Sequence, residues 1–232
     1  MMEFDKYEVL SFDCYGTLID WESGILEGMS PVLRSRRIEM TSEEILKLFS
    51  EFEPAVEQGT YMKYRKVLQD IVRKFGTRLG FQPTEKDLNA LTKSLPNWKP
   101  FPDTVDALAR LDKKFKLAII SNIDDDLMAQ TLEHLNTTFD FVITAEQIRV
   151  YKPSSIFLKY AHNRIGRPKE NILHVAQSLF HDIAPTKKLG QACVWVNRRK
   201  GMEGSGATPP SDAVPDLEVP DLKALADLIP GI

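Results

Sequence analysis

Short apolar runs recur along the chain, and helix-like segments separate most of them. The runs are rich in Val, Ile and Phe and show no strict alternation, which is typical of strands buried on both faces of a sheet. They cover Glu8 to Phe12, Leu117 to Ser121, Phe139 to Thr144, Ile172 to Val175 and Ala192 to Val196. Strands that alternate with helices predict an α/β fold built on a doubly wound parallel sheet.

Apolar positions on one face predict the helices between these runs. The predicted helices cover Asp103 to Lys114, Asp126 to Leu135, Ser155 to Arg164 and Ile183 to Leu189, with a closing helix over Asp221 to Leu228. The stretch from Asn197 to Asp216 is rich in Gly, Ser and Pro. That composition predicts a flexible surface loop.

About a hundred residues separate the first predicted strand from the second, which is far more than an ordinary crossover needs. Thr41 and Glu44 form a capping-box pattern that opens an amphipathic helix, a second helix is predicted over residues 62–75, and a third begins at Thr84. We therefore predict a helical cap over residues 20–97, inserted into a core of residues 1–19 and 98–232. An insertion at this point lies over the strand ends, where it can act as a lid.

Composition restricts the compartment and the class of partner. A hydrophobic content of 43% and a charged content of 27% in 232 residues are ordinary for a globular protein. The net charge of -3 argues against a nucleic-acid-binding surface, and no apolar run has the length of a membrane span. The acidic start of the chain is unlike a signal peptide, and Cys14 and Cys193 lie in or beside apolar runs, as buried thiols do. We expect a soluble, cytoplasmic protein that acts on a small molecule.

Polar side chains follow the predicted strands at four places. Asp13 and Thr17 follow the first strand, Ser121 and Asn122 the second, Lys152 the third, and Gln177, Ser178 and Asp182 the fourth. Taken alone, each has a structural explanation, such as an Asx turn, a helix cap, a solvated charge or a first-turn acid. Because the carboxyl ends of parallel strands meet at one edge of a sheet, we expect these side chains to converge on one crevice. An aspartate there can act as a nucleophile, whereas His174, inside a strand, is predicted to belong to the core or the sheet edge.

Four motifs resemble those of the haloacid dehalogenase superfamily. They are FDCYGT, ISN, YKP and HVAQSLFHD, in that order along the chain. The resemblance covers residues 5–20 and 98–196, and the first motif is its most specific part. The helical insertion matches the cap of that family. The resemblance implies a Rossmann-like core with an aspartate nucleophile at Asp13.

Positions 15 and 177 separate two chemistries within that superfamily. Phosphatase members have the pattern D-x-D-x-T, in which the second Asp protonates the leaving alcohol, and they hold Mg²⁺ with acids of the fourth motif. Tyr15 and Gln177 occupy those positions here. An alkoxide needs a proton to leave and a phosphoryl group needs its charge neutralised, whereas a halide needs neither. The chain therefore resembles the 2-haloacid dehalogenase branch, which implies no cofactor. An Mg²⁺-dependent phosphatase using Asp13 and Asp182, and a non-catalytic binding protein, are the alternatives.

The resemblance also implies a role for each site residue. Asp13 attacks the halogen-bearing carbon, and water then releases a 2-hydroxy acid from the resulting ester. Lys152 pairs with Asp13, while Ser178 and Asp182 orient the hydrolytic water and Lys152. The implied substrate-binding residues are Tyr15 as a wall of the pocket, Thr17 and Ser121 as hydrogen-bond donors, and Asn122 as a ligand of the halide or carboxylate. A homodimer is a further expectation from the family.

A cap arginine is the point at which this chain departs from the family pattern. Haloacid dehalogenases use an arginine early in the cap to bind the departing halide. The segment where we expect that residue first, Ser50-Glu51-Phe52-Glu53, carries acids instead. The other candidates are Arg34, Arg36, Arg37 and Arg65. This departure bears on the substrate and leaves the predicted fold and nucleophile unchanged.

Overall fold

The computed structural model describes residues 2–232, and the strands in this range form one six-stranded sheet. The strands are β1 (Val9–Phe12), β2 (Lys116–Ser121), β3 (Phe141–Thr144), β4 (Ile172–Ala176), β5 (Cys193–Val196) and β6 (Leu217–Val219). Their order across the sheet is β3-β2-β1-β4-β5-β6, and every neighbouring pair is parallel. This confirms the predicted doubly wound α/β fold. The short edge strand β6 was not predicted.

The central strand β1 places the chemistry of the molecule. All four of its residues are buried, as expected for a strand covered by helices on both faces. The chain leaves β1 toward β2 and β3 on one side and later adds β4, β5 and β6 on the other. The carboxyl end of β1 is therefore a topological switch point, where α/β sheets open a ligand crevice.

Eleven α-helices surround or extend this sheet within residues 2–232. They are α1 (Trp21–Arg34), α2 (Ser42–Glu57), α3 (Tyr64–Leu79), α4 (Glu85–Leu88), α5 (Ala90–Ser94), α6 (Thr104–Leu111), α7 (Asp125–Leu135), α8 (Ala145–Ile148), α9 (Ser155–Ile165), α10 (Ala184–Lys188) and α11 (Leu222–Asp227). The predicted helices between the strands are thus confirmed, with ends that differ by a few residues. Helix α6 ends at Leu111 and not at Lys114, and a π-helical turn over Leu179–Ile183 precedes α10.

The first five helices all lie between β1 and β2, where the sequence predicts a helical insertion. Capping boxes form at Thr41 with Glu44 and at Thr84 with Asp87, as their spacing indicates. An antiparallel bridge joins Ile19 to Pro100, so the two chain crossings at the base of the insertion lie side by side. We place the cap over residues 20–97 on this basis, and the division into cap and core stays a prediction.

The glycine-rich stretch after β5 lies mostly at the surface, as predicted, but residues 206–208 within it are buried. Ala207 is fully buried, and its backbone N–H donates a hydrogen bond of 3.0 Å to the Glu22 carboxylate on α1. The nearby Thr208 is also buried and donates to the Gln177 side chain at 3.3 Å. Low hydrophobicity in this segment therefore did not prevent burial, because its backbone and hydroxyl groups form hydrogen bonds.

Among residues 2–232, no helix combines the length and the apolar character needed to cross a bilayer.

Candidate active site

Asp13 is the first residue after β1, and the backbone turns away from it at once. Its N–H still donates to the Val175 carbonyl at 3.1 Å, which holds the residue in line with the sheet. Gly16 then adopts a φ of 93°, and a Cβ there would lie 2.8 Å from the Trp21 indole nitrogen. Only a glycine fits both the backbone angle and the space. The turn aims the Asp13 carboxylate into the crevice beneath the cap.

Lys152 bridges two carboxylates at the floor of this crevice. Its Nζ atom lies 2.8 Å from Asp13 Oδ1 and 2.7 Å from Asp182 Oδ1, and it donates a third bond of 3.0 Å to the Ile120 carbonyl. The Lys152 side chain is 2% exposed. A buried ammonium with three acceptors has its donors satisfied, so its position is fixed. The structure brings these three predicted residues together.

His174 extends the network into the sheet. Its Nε2 atom lies 3.0 Å from Asp182 Oδ1, and its Nδ1 atom lies 3.0 Å from Ser11 Oγ. His174 and Ser11 face each other across β4 and β1, and both are fully buried. The prediction of a core position is correct, yet the side chain also holds Asp182. A polar pair at matched positions of two apolar strands is the signal that could have identified this role.

Burial and charge set the protonation of this network. Burial alone would lower the pKa of Lys152, but Asp13 and Asp182 outweigh it and hold that pKa above its usual value. Burial would raise the pKa of Asp182, yet Lys152 and then His174 lower it to about 2. Burial raises the pKa of Asp13, with a contribution from the Asp182 charge, against the opposing effect of Lys152 and Thr17. Asp182 therefore loses its proton at a lower pH than Asp13 does.

Thr17 connects the nucleophile to the fourth motif. Its hydroxyl donates to Asp13 Oδ2 at 2.7 Å and accepts from the Gln177 backbone N–H at 2.9 Å. Each Asp13 oxygen thus has one fixed donor, Lys152 on Oδ1 and Thr17 on Oδ2. In this structure Thr17 therefore contacts the nucleophile. Its contact with a substrate stays a prediction.

Ser121 and Asn122 have different surroundings. Both line the cavity above Asp13. The Ser121 hydroxyl is buried and has no hydrogen-bond partner within residues 2–232, so it remains available to a substrate oxygen. Both amide atoms of Asn122 instead bond the Lys152 backbone. Asn122 therefore positions Lys152, and its predicted role as a ligand of halide or carboxylate stays a prediction.

Ser178 stabilises the π-helical turn that carries Asp182. Its hydroxyl accepts from the His181 backbone N–H at 2.8 Å, as a helix N-cap does. The turn brings Asp182 back toward Lys152, while Asp182 Oδ2 is buried without a hydrogen-bond partner in the described chain. An unpartnered carboxylate oxygen in this cavity can accept a bond from water. The predicted role in orienting water fits Asp182. For Ser178, which also lines the cavity, that role stays a prediction beside its contact within the turn.

Tyr15 forms a wall of the cavity. The Thr131 hydroxyl donates to the Leu127 carbonyl, so it accepts the 2.7 Å bond from the Tyr15 hydroxyl. The ring packs edge to face against Trp98 with centroids 5.9 Å apart. With its hydroxyl engaged on α7 and its ring fixed, Tyr15 supplies an apolar surface and no acid.

The cap closes the cavity with Trp21, Glu53 and Tyr64. Glu53 lies on α2 and is 4% exposed, and the Tyr64 hydroxyl donates to its Oε1 atom at 2.6 Å. Sequence reasoning found this acid within the segment expected to hold an arginine but gave it no role. A charged residue on the apolar face of an amphipathic helix, four residues after Phe49, is the signal that indicates one.

The four candidate arginines do not line this cavity. Arg36 pairs with Asp87, and Arg65 pairs with Asp126 and with Asp124. Arg34 and Arg37 are exposed. Within residues 2–232, Lys152 is thus the one lysine or arginine that lines the cavity.

The cavity above Asp13 has a volume of about 30 Å³. That volume holds one or two water molecules, at roughly 15 Å³ each by the same measure. A substrate of several heavy atoms is larger than this space.

The residues around Asp13 do not fit a magnesium site. Gln177 replaces an acid of the fourth motif, and its Oε1 atom accepts from Thr208. The Lys152 ammonium already lies between the two carboxylates that remain, Asp13 and Asp182. Within the described residues, no group of three or more His, Cys, Asp or Glu side chains could hold a metal ion. A cation at this position would have to compete with the lysine.

Known proteins share both the sequence pattern and the architecture described above. A family model described as "Haloacid dehalogenase-like hydrolase" matches residues 10–196. The chain is 30% identical over 219 residues to an (S)-2-haloacid dehalogenase of Pseudomonas putida, and equally to one of Pseudomonas fluorescens, with 89% of this chain and 91% of each relative covered. The solved structure of an L-2-haloacid dehalogenase from Xanthobacter autotrophicus, with chloropropionic acid covalently bound, superposes with a TM-score of 0.80 at 23% identity. That superposition covers 97% of this chain and 99% of the other. The chain belongs to the haloacid dehalogenase-like hydrolase family.

Proposed function

We propose that the protein is a hydrolase that converts a small 2-haloalkanoic acid into a 2-hydroxy acid through an ester on Asp13. The observation that carries this proposal is the pairing of Asp13 with Lys152 at the switch point, beside Tyr15 where a phosphatase would need an acid. The names of the two Pseudomonas relatives support the same reaction and the (S) configuration at the halogen-bearing carbon.

The first step is an in-line displacement. A carboxylate oxygen of Asp13 forms a bond to the halogen-bearing carbon, and the carbon–halogen bond breaks with both electrons leaving on the halide. Lys152 and Thr17 hold the Asp13 carboxylate in one orientation, so binding aligns the two reacting atoms. The Ser121 hydroxyl has a free donor for the carboxylate of the substrate.

The second step is hydrolysis of the ester. Water attacks the Asp13 carboxyl carbon, the bond between that carbon and the ester oxygen breaks, and the ester oxygen leaves on the former halogen-bearing carbon, with a proton, as the hydroxyl of the 2-hydroxy acid. Asp182 Oδ2, which is buried and free, accepts a hydrogen bond from the attacking water. The oxygen in the product comes from Asp13, and water replaces it in the enzyme. No cofactor takes part in either step.

The test is halide release from (S)-2-chloropropionate in the presence of EDTA. We expect release by the native protein, none by Asp13→Asn, and a covalent adduct on Asp13 by mass spectrometry. After a single turnover in H₂¹⁸O, the label should be found in Asp13 and not in the product. Absence of halide from a panel of chloro-, bromo- and fluoroacids of both configurations would reject the proposal.

Hydrolysis of phosphate esters and the adduct on Asp13 distinguish the two alternatives. An Mg²⁺-dependent phosphatase would hydrolyse small phosphate esters and stop in EDTA, and we expect that activity near background because Tyr15 and Gln177 replace the required acids. A non-catalytic binding protein would form no adduct on Asp13.

Two further expectations concern the protein as a whole. We propose a cytoplasmic location, supported by the buried and unpaired thiols of Cys14 and Cys193, which suit a reducing compartment. A homodimer stays a prediction from the family, and light scattering of the purified protein would test it.

A further inference from the structure

The cap contributes an acid, and no cation, to the side of the cavity that faces the nucleophile. Of the ionisable side chains that line this cavity in the described chain, Glu53 and Tyr64 come from the helices between β1 and β2. Asp13 lies on the opposite side, at the floor. Because in-line displacement expels the leaving group away from the nucleophile, the leaving group departs toward Glu53 and Tyr64.

Glu53 is a buried carboxyl without a counter-ion. Its Oε1 atom accepts from Tyr64, and its Oε2 atom has no hydrogen-bond partner within residues 2–232. The cavity already holds two carboxylates, Asp13 and Asp182, against the single ammonium of Lys152, so these three groups sum to -1. An ionised Glu53 would bring the sum to -2 and would oppose both a halide and a substrate carboxylate. A buried, unpaired acid in such a field favours its neutral form.

We infer that Glu53 acts as a neutral carboxylic acid whose proton forms a hydrogen bond to the departing halide, in place of the charge that an arginine would supply. This inference rests on the proposed function. As the carbon–halogen bond breaks, the halide takes both electrons and accepts the hydrogen bond from Glu53. The proton stays on Glu53, because hydrogen halides are stronger acids than a carboxylic acid. Tyr64 donates to Oε1 and thereby fixes the carboxyl group.

The groups around Glu53 give it the required protonation. Tyr64 faces it from α3, Glu57 lies one turn along α2, and Asp13 and Lys152 face it from the core. Burial, and then the charge of Asp13, raise the pKa of Glu53 to about 7, against the opposing effects of Tyr64 and Lys152. Burial, and then the charge of Glu53, raise the pKa of Glu57. Burial raises the pKa of Tyr64 well above its usual value of 10, so Tyr64 stays neutral near pH 7.

His181, in the turn after β4, is a further ionisable group that lines the cavity. Burial lowers its pKa to about 4, so its ring is also neutral near pH 7. Glu53 is therefore the group beside the leaving halide that changes its charge close to neutral pH. Halide release should fall as pH rises through about 7, where Glu53 loses its proton. Fluoride is the most basic halide and accepts the strongest hydrogen bond, so fluoroacids should depend on Glu53 more than bromoacids do.

Three variants test the inference. Glu53→Gln keeps a neutral donor and should retain halide release within a few-fold, without the fall above about pH 7. Glu53→Ala loses the donor, and we expect about tenfold slower release or more, since a hydrogen bond to a charged group is stronger than one between neutral groups. Glu51→Gln, at an exposed position of the same helix, is the matched control and should behave as the native protein does.

The outcomes distinguish this inference from the proposed function. If the native protein releases no halide, the proposed function fails. If it releases halide but Glu53→Ala matches it, or Glu53→Gln keeps the same loss at high pH, only the inference about Glu53 is overturned. Bromide inhibition of the native protein gives an independent measurement in case Glu53→Ala does not fold. We expect bromide to inhibit about tenfold more weakly above pH 7 than below it, and an inhibition constant independent of pH would also overturn the inference.

Discussion

Asn122 holds Lys152 by its main chain and leaves the ammonium free for the carboxylates. Asn122 Oδ1 accepts from the Lys152 backbone N–H at 2.7 Å, and Asn122 Nδ2 donates to the Lys152 carbonyl at 3.1 Å. Asn122, directly after β2, thus fixes the backbone of Lys152, which lies in the loop after α8. Because an amide has one donor group and one acceptor, both contacts require this residue type.

We expect Asn122→Ala to lower kcat with little change in KM. Loss of both hydrogen bonds lets the Lys152 backbone shift, and a misplacement of about 1 Å can slow catalysis about a hundredfold. The unpaired backbone groups should also lower the free energy of unfolding by about 1–3 kcal/mol. Steady-state halide release and urea denaturation measure the two effects. The exposed Asn163→Ala on α9 is the control, and a rise in KM alone would instead indicate direct substrate contact.

Asp182→Asn should slow the second step more than the first. The variant removes the carboxylate that accepts from the attacking water, so the ester on Asp13 should accumulate and be visible by mass spectrometry. It also removes a charge that raises the pKa of Asp13, so that pKa should fall. In the pH profile of the rate of ester formation, the loss of activity on the acidic side should then occur at lower pH.

The control for this prediction is Asp227→Asn, which removes an exposed carboxylate from an ion pair far from the sheet crevice. It should leave both the adduct level and the pH profile unchanged. An Asp182→Asn variant that turns over without accumulating ester would mean that water is oriented by another group.

The floor of the site could be predicted from the sequence because local sequence patterns determine the strands and turns that form it. Apolar strands, the turn at Gly16 and the convergence of strand ends place Asp13, Lys152 and Asp182 together before any coordinates are known. His174 was predicted only as a core residue, since its second role depends on its register with Ser11 across two strands. Register between distant strands is a tertiary property that hydrophobic periodicity does not encode.

The cap side of the site was harder to predict for the same reason. Glu53 occupies a segment that the sequence singles out, but its contact with Tyr64 depends on how α2 and α3 pack. The role of Asn122 as a ligand of halide or carboxylate is a prediction from the family pattern, whereas its hydrogen bonds to the Lys152 backbone depend on how the chain after β3 packs beside β2. Side chains whose partners come from another element therefore need the structure.

Glu53 should make the stability of the protein depend on pH. Its pKa rises from 4.5 in the unfolded chain to about 7 in the folded protein, so the folded state binds more protons between these values. Its contribution therefore lowers stability as pH rises from about 4.5 to 7, and the full effect is present above that range. At 1.36 kcal/mol per pKa unit the effect is about 3 kcal/mol.

We expect Glu53→Gln to be more stable relative to the native protein at about pH 8 than at about pH 5, by up to 3 kcal/mol. Urea denaturation of both proteins at the two pH values measures this difference, in which the other titrating groups largely cancel. Glu51→Gln should show no such change. The absence of such a difference would mean that Glu53 is already ionised in the folded protein at about pH 5.

The packing between α1 and the end of the cap should be sensitive to a single methyl group. A Cβ built on Gly24 would lie 2.4 Å from three atoms of the Trp98 indole, which is itself 3% exposed and donates to Ser94 Oγ at 3.1 Å. Trp98 also packs against Tyr15, which walls the cavity. Gly24→Ala should therefore displace the indole, lower the free energy of unfolding by about 1–3 kcal/mol and reduce kcat through Tyr15. Glu27→Ala, exposed on the same helix, should change stability by less than about 0.5 kcal/mol. Equal stability of the two alanine variants would mean that helix α1 does not pack on Trp98 in solution.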